Sequence, residues 1–124
     1  MSDRQTGRTT RQIQDLVDCA VGAPNRTVVW IDHSAGLRTN SWNKVLEECG
    51  GRGVFDKAVK HEKRIMLTNG SVIQCIAVEQ GLMYQSLEGE YYRVFVDHNA
   101  WLTLDTKTRE WMVCRHRTRV GEQI

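Results

Sequence analysis

The sequence predicts one small α/β domain: a mostly parallel sheet with a β-hairpin and two to three helices. Three observations predict it. Ile13, Leu16, Val17, Ala20 and Val21 fall at i, i+3, i+4, i+7 and i+8, the spacing of a single helix face. Thr27-Val28-Val29-Trp30-Ile31 is nearly continuous and β-branched, which suits a strand buried on both faces of a parallel sheet. Asn69-Gly70 separates two β-rich runs, the preferred type I′ hairpin turn. The 124 residues fit one domain. Residues 1–8 read as a flexible basic arm, and residues 9–124 as the α/β domain.

The first helix is expected over residues 10–21. Thr9 or Thr10 caps its start, and Gly22 with Pro24 stops it. The strand at 27–31 follows and ends in Asp32-His33-Ser34. Ser41 is a good cap for a second helix at 41–49, with Trp42, Val45, Leu46 and Cys49 on its inner face and Gly50-Gly51 at its end. Residues 51–63 carry a weak pattern, with at most one helical turn around Phe55 to Val59. The hairpin spans 64–78, and residues 79–90 read as a polar, Gly-punctuated loop. A second buried strand is expected at 93–97, ending in Asp97-His98-Asn99. Residues 101–117 fit a hairpin or a helix. Asp105 and Thr106 as start signals and an Arg-rich end favour the helix.

Hydrophobic residues make up 40% and charged residues 26%, which excludes a disordered chain. No apolar run approaches the roughly 20 residues of a membrane span, and the polar first twelve residues exclude a signal peptide. A membrane partner is therefore not expected. Cys19, Cys49, Cys75 and Cys114 form no CxxC pair, so a zinc ribbon and a thioredoxin-like motif are both excluded. They read as free thiols in a reducing cytoplasm. Cys114-Arg115-His116 offers two ligands, and a zinc site there needs two more from elsewhere.

The candidate anion site is Thr6-Gly7-Arg8-Thr9-Thr10, directly before the first expected helix. A helix start offers unpaired N–H groups and a partial positive charge. Small residues let those groups approach a phosphate, Arg8 adds a cation, and the Thr9 hydroxyl suits Mg²⁺. This is the ending of a Walker A loop, GxxxxGK[ST]. Ser2 stands where the first glycine belongs, and Arg8 replaces the lysine.

Gly7-Arg8-Thr9-Thr10-Arg11, followed by an amphipathic helix and a buried strand, resembles small P-loop-type proteins of bacteriophages. So do the hairpin Ile65 to Ile76 around Asn69-Gly70-Ser71, the turn Leu87-Glu88-Gly89, and the strand Val94-Phe95-Val96 before Asp97-His98. The order is also similar to the ATPase part of phage terminase large subunits and to helicase-like P-loop proteins. It covers roughly residues 6–100. The resemblance implies a truncated P-loop-like fold in which Gly7, Arg8, Thr9, Thr10 and Arg11 bind the phosphates of a nucleoside triphosphate. It also implies Mg²⁺ held by Thr9 and Asp97, with catalysis at Asp97 and His98. Two departures weaken hydrolysis: His98 stands where a glutamate polarises water, and Glu88 where an arginine is more usual. Nucleotide or nucleic-acid phosphate binding with weak or no hydrolysis is the leading expectation. A sheet without the strand that normally leads into the loop leaves an edge to cover, and a homo-oligomer would cover it.

Two alternatives stand beside it. Val28 to Ala35 and Arg93 to Ala100 echo each other, each an apolar strand ending in Asp-His. If the two strands lie parallel and adjacent, Asp32, His33, Asp97 and His98 meet at their carboxyl ends. A metal-dependent nuclease could be built there, with the carboxylates of Asp32 and Asp97 and the imidazoles of His33 and His98 as ligands to Mg²⁺, Mn²⁺ or Zn²⁺. The other alternative is a small phage accessory protein that binds and inhibits a host defence or replication protein in the host cytoplasm, without an active site.

The net charge of +2 conceals an asymmetry. Residues 1–11 carry +2 and residues 107–119 carry +4, while residues 12–106 carry −3. Arg115, Arg117 and Arg119 are candidate contacts to a nucleic-acid backbone.

Overall fold

The computed structural model describes residues 2–78, 93–107, 109, 110, 119 and 120. In chain order the elements are α1 (Ser2–Val21), β1 (Thr27–Asp32), α2 (Ala35–Arg52), β2 (Phe55–Val59), β3 (Arg64–Leu67), β4 (Val72–Ala77), β5 (Arg93–Val96), α3 (His98–Thr103) and β6 (Arg119–Val120). The strands form one sheet in the order β2-β3-β4-β1-β5-β6. β1 pairs in parallel with β4 on one side and β5 on the other, and β5 pairs in parallel with β6. β2-β3 and β3-β4 are antiparallel. The expected α/β class holds, with the hairpin at 64–78 and the two Asp-His strands side by side.

Helices cover both faces of the sheet. On one, Ile13, Leu16, Val17 and Ala20 of α1 and Trp42, Val45 and Cys49 of α2 pack on Val28, Trp30, Ile65, Ile73, Cys75 and Phe95. On the other, Ala100 and Leu104 pack on Val29, Ile31, Ile76, Val94 and Val96. Alternate residues of β1 thus enter opposite cores, as the period of a strand requires. Full burial of each such Val, Leu or Ile contributes about 1.5–3 kcal/mol. Cys49 and Cys75 are buried free thiols, as the spacing predicts.

Several boundaries differ from expectation. α1 begins at Ser2, so residues 2–8 are helix rather than a flexible arm, and 6–10 are helix rather than a loop. Between Asp3 and Arg11 Gly7 opposes a helix most, at a cost of about 1 kcal/mol, the threonines oppose it less, and the core stripe that begins at Ile13 anchors the rest. α2 begins at Ala35 rather than residue 41. Ser34 is its cap, with Oγ accepting from Leu37 N, and Gly53 closes it at φ 73°. Ser41 is buried inside the helix.

Residues 55–59 form the strand β2 rather than a helical turn. It is an edge strand, and its register slips between Phe55 and Lys57, which hides its alternation. The hairpin turn is not type I′. Gly70 N donates to Leu67 O at 3.0 Å and only Gly70 has positive φ, so the loop is three residues, Thr68 to Gly70. The reason is Asn69, whose Nδ2 donates to Ala20 O and Val21 O at the end of α1, both at 3.0 Å. β5 stops at Val96, and Asp97 caps α3. Trp101 lies in α3, while Asp105 begins the next helical turn, as its Arg109 N–Asp105 O bond shows. The expected loop at 79–90, its Leu87-Glu88-Gly89 turn, and the pair Cys114 and His116 lie outside the described residues.

Candidate functional site at the carboxyl edge of the sheet

The chain leaves β1 through α2 towards β4, and later returns to the other side of β1 as β5. Connections depart in opposite directions at β1 and β5, and in open α/β sheets ligands bind outside the carboxyl ends at such a point. Ile31 pairs with Val96, and Asp97 N donates to Ile31 O at 2.9 Å. This registers Asp32 and Asp97 beside each other at that edge.

Asp32 is 3% exposed. It shares a face of β1 with Trp30, whose Nε1 donates to Asp32 Oδ2 at 2.7 Å. Burial pushes the Asp32 carboxyl up to about 7; hydrogen bonds from Ser41 and Trp30 oppose this, the Asp97 charge adds to it, and Lys44 opposes it. Such a group is roughly half protonated near pH 7. Asp97 has a structural task. Its Oδ2 accepts from Asn99 N at 3.0 Å and Ala100 N at 3.4 Å, closing the start of α3. His98 is the first residue of α3. The Nδ1 atoms of His33 and His98 are buried and have no partner among the described residues.

The first half of α1 reaches this edge. Gln12 is buried, and its Nε2 donates to Val96 O at 2.8 Å, tying the helix to the end of β5. Residues 2–11 therefore extend beyond that end. Arg4, Arg8 and Arg11 recur along this stretch of the sequence, and Arg11 is exposed. The backbone N–H groups of 6–10 lie within the helix, where they bond to the preceding turn. The expected amide cradle at Gly7 to Thr10 is thus corrected: these backbone groups belong to the helix ladder. A groove of about 270 Å³ between α1 and α2 is lined by Thr10, Ile13, Lys44, Glu47 and Glu48.

The four Asp-His residues share the edge without forming a ligand set. Among the described residues, no group of three or more His, Cys, Asp or Glu side chains is placed to hold a metal ion. Of the candidate contacts at the far end, Arg119 lies in β6 beside Phe95, and Arg115 and Arg117 lie outside the described residues. No helix among the described residues is long and apolar enough to cross a membrane.

Three contributors were not assigned from sequence. Ser41 reads as a helix cap, yet it hydrogen bonds to Asp32. Gln12 carries no functional signature, yet it ties α1 to β5. Trp30 reads as plain core, although its i, i+2 spacing to Asp32 already puts both on one strand face. No known protein-family model matches the chain, and no curated protein matches it.

Proposed function

We propose that this chain binds a phosphate group, of a nucleotide or of nucleic acid, at the carboxyl edge of β1 and β5, as a reduced relative of phage P-loop proteins. One observation supports the reading: the Gln12–Val96 bond ties α1 to the end of β5, so the helix that carries the Gly7 to Arg11 segment begins beyond the strand ends where β1 and β5 part. Arg38 and Lys44 of α2 add positive charge close to the same edge, and the buried Arg38 Nε has no partner among the described residues. Phosphate is recognised well by guanidinium groups, which pair with two of its oxygens at once.

Hydrolysis is slow or absent in this reading. Asp97 is engaged in capping α3, and Asp32 with a pKa of about 7 is a poor divalent-metal ligand at neutral pH. His98 replaces the expected glutamate.

Thermal denaturation with Mg²⁺-ATP, Mg²⁺-GTP and inorganic phosphate tests it. A rise in melting temperature is expected, reduced in Arg8→Ala and Arg38→Ala. No shift with any phosphate compound overturns the reading. The nuclease alternative requires divalent-metal-dependent DNA cleavage that is lost in Asp97→Asn.

A further inference from the structure

β2 stands at one end of the sheet, with β3 as its neighbour on the inner side. Lys57 pairs there with Met66, Ala58 with Ile65 and Val59 with Arg64. Which backbone groups of β2 bond to β3 follows from the far side of β3. Cys75 N donates to Lys63 O at 3.0 Å and Leu67 N to Ser71 O at 2.9 Å, so Lys63, Ile65 and Leu67 turn their backbone groups to β4. Arg64 and Met66 then turn theirs to β2, where Val59 and Lys57 meet them. Ala58 lies between those two, and its N–H and C=O face away from the sheet. Phe55, Asp56 and Lys57 are exposed, and Phe55 keeps 41% of its surface in solvent.

Such an edge accepts another strand unless its side chains prevent it. The charges here exclude some pairings and favour one. Asp56 and Lys60 lie four residues apart, with Ala58 midway. Both are exposed, and neither pairs with another side chain among the described residues. The position of Lys60 is fixed by its carbonyl, which accepts from Lys63 N at 3.1 Å and Lys63 Nζ at 2.8 Å.

Two copies of one strand, paired antiparallel about a two-fold axis, set one residue opposite itself and its neighbours symmetrically around it. Like charges directly opposite each other weaken a pair. Centred on Asp56, two carboxylates meet. Centred on Lys57, two ammonium groups meet. Centred on Val59, Asp56 meets Glu62. Phe55 lies at the register slip, where the edge is irregular. Centred on Ala58, no like charges meet: the outward backbone groups of the two Ala58 residues exchange hydrogen bonds, and each Asp56 stands opposite a Lys60.

We propose that this chain forms a homodimer by antiparallel pairing of β2 with β2 of a second copy, centred on Ala58 and flanked by two Asp56–Lys60 ion pairs. The two sheets then continue as one. The axis stands perpendicular to the sheet, so the carboxyl edges of the two copies open in opposite directions. β3 and β4 separate β2 from β1, which leaves the edge at Asp32 and Asp97 uncovered in each copy. The dimer stands independently of the phosphate reading.

Sedimentation equilibrium of the full chain over a wide range of concentration tests it. The intact chain is expected to approach twice the mass of one chain. Asp56→Lys and Lys60→Asp are each expected to give a monomer, since each sets like charges opposite on both sides of the axis. The combined Asp56→Lys, Lys60→Asp variant restores both pairs and is expected to return the dimer. Ala58→Pro removes an outward N–H without losing a bond to β3, and a monomer that keeps its circular dichroism spectrum is expected. An intact chain that is monomeric at every concentration overturns the proposal. So does a dimer that survives Asp56→Lys or a folded Ala58→Pro, or a combined variant that stays monomeric.

Discussion

The Trp30 indole and the Asp32 carboxylate hydrogen bond along one strand face, Nε1 to Oδ2, at 2.7 Å. The bond satisfies two polar groups at the end of an otherwise apolar strand, where an unpaired carboxylate would cost several kcal/mol. It does not offset the whole cost of burial, because the Asp32 pKa remains at about 7 against an ordinary 3.8.

That shift has a definite pH signature. The folded chain holds the Asp32 proton more tightly than the unfolded chain does. Its contribution to stability is fully present below about pH 3.8 and is lost as pH rises through about 7. The full loss is roughly 4 kcal/mol at 1.36 kcal/mol per pKa unit. Asp32→Asn removes this component. Urea denaturation from pH 4 to pH 8 should therefore show the variant gaining on the parent as pH rises, and parallel curves would contradict the assignment.

Gly70 and Gly53 both have positive φ, at 85° and 73°. A Cβ at Gly53 would meet nothing, whereas one at Gly70 would run into the Asn25 side chain. Gly53→Ala should cost only the left-handed penalty, about 1–2 kcal/mol. Gly70→Ala should cost more, and equal urea midpoints for the two variants would refute the difference.

Asn69 joins the hairpin turn to the end of α1. Its Nδ2 donates to two carbonyls of α1, and its Oδ1 accepts from Ser71 N at 3.0 Å and Ser71 Oγ at 2.7 Å. Asn69→Ala should cost about 1–3 kcal/mol. Asn69→Asp should be at least as damaging, since a carboxylate would face the negative end of a helix. A milder Asp variant in thermal denaturation would show that the donor side of the amide does little.

Asp97 can be separated into cap and charge. Asp97→Ala should lose about 1 kcal/mol with the cap, while Asp97→Asn keeps it within a few tenths. If Asp97→Asn keeps its melting temperature but loses any Mg²⁺-dependent part of a nucleotide shift, the carboxylate holds the ion. If that shift persists, Asp97 is a cap alone.

The parts legible in the sequence were those whose signal is local and periodic. The stripe from Ile13 to Val21, the run Thr27 to Ile31 and the echo at Asp97-His98 each report burial on a regular element, and they led to two parallel strands with their acids adjacent. β2 was missed because an edge strand need not alternate, and a register slip blurs what alternation it has. The start of α2 was missed because Ser34 and Ser41 are equally good caps in isolation. Tertiary burial decides between them, drawing Ser41 inside against Asp32. At 6–10 Thr-Thr suits a cap, but nothing nearby stops a helix from beginning earlier, and the helix starts at Ser2.

The order β4-β1-β5 also bears on assembly. β1 and β4 meet across 45 residues and β1 and β5 across 65, while β3 and β4 are joined by a three-residue turn. Closing longer loops costs more chain entropy and slows folding. The hairpin can form early, but Asp97 reaches Asp32 only when the most distant pairing closes. Any site that uses this edge thus comes into being at the last step of assembly, as a property of the finished sheet rather than of a local segment.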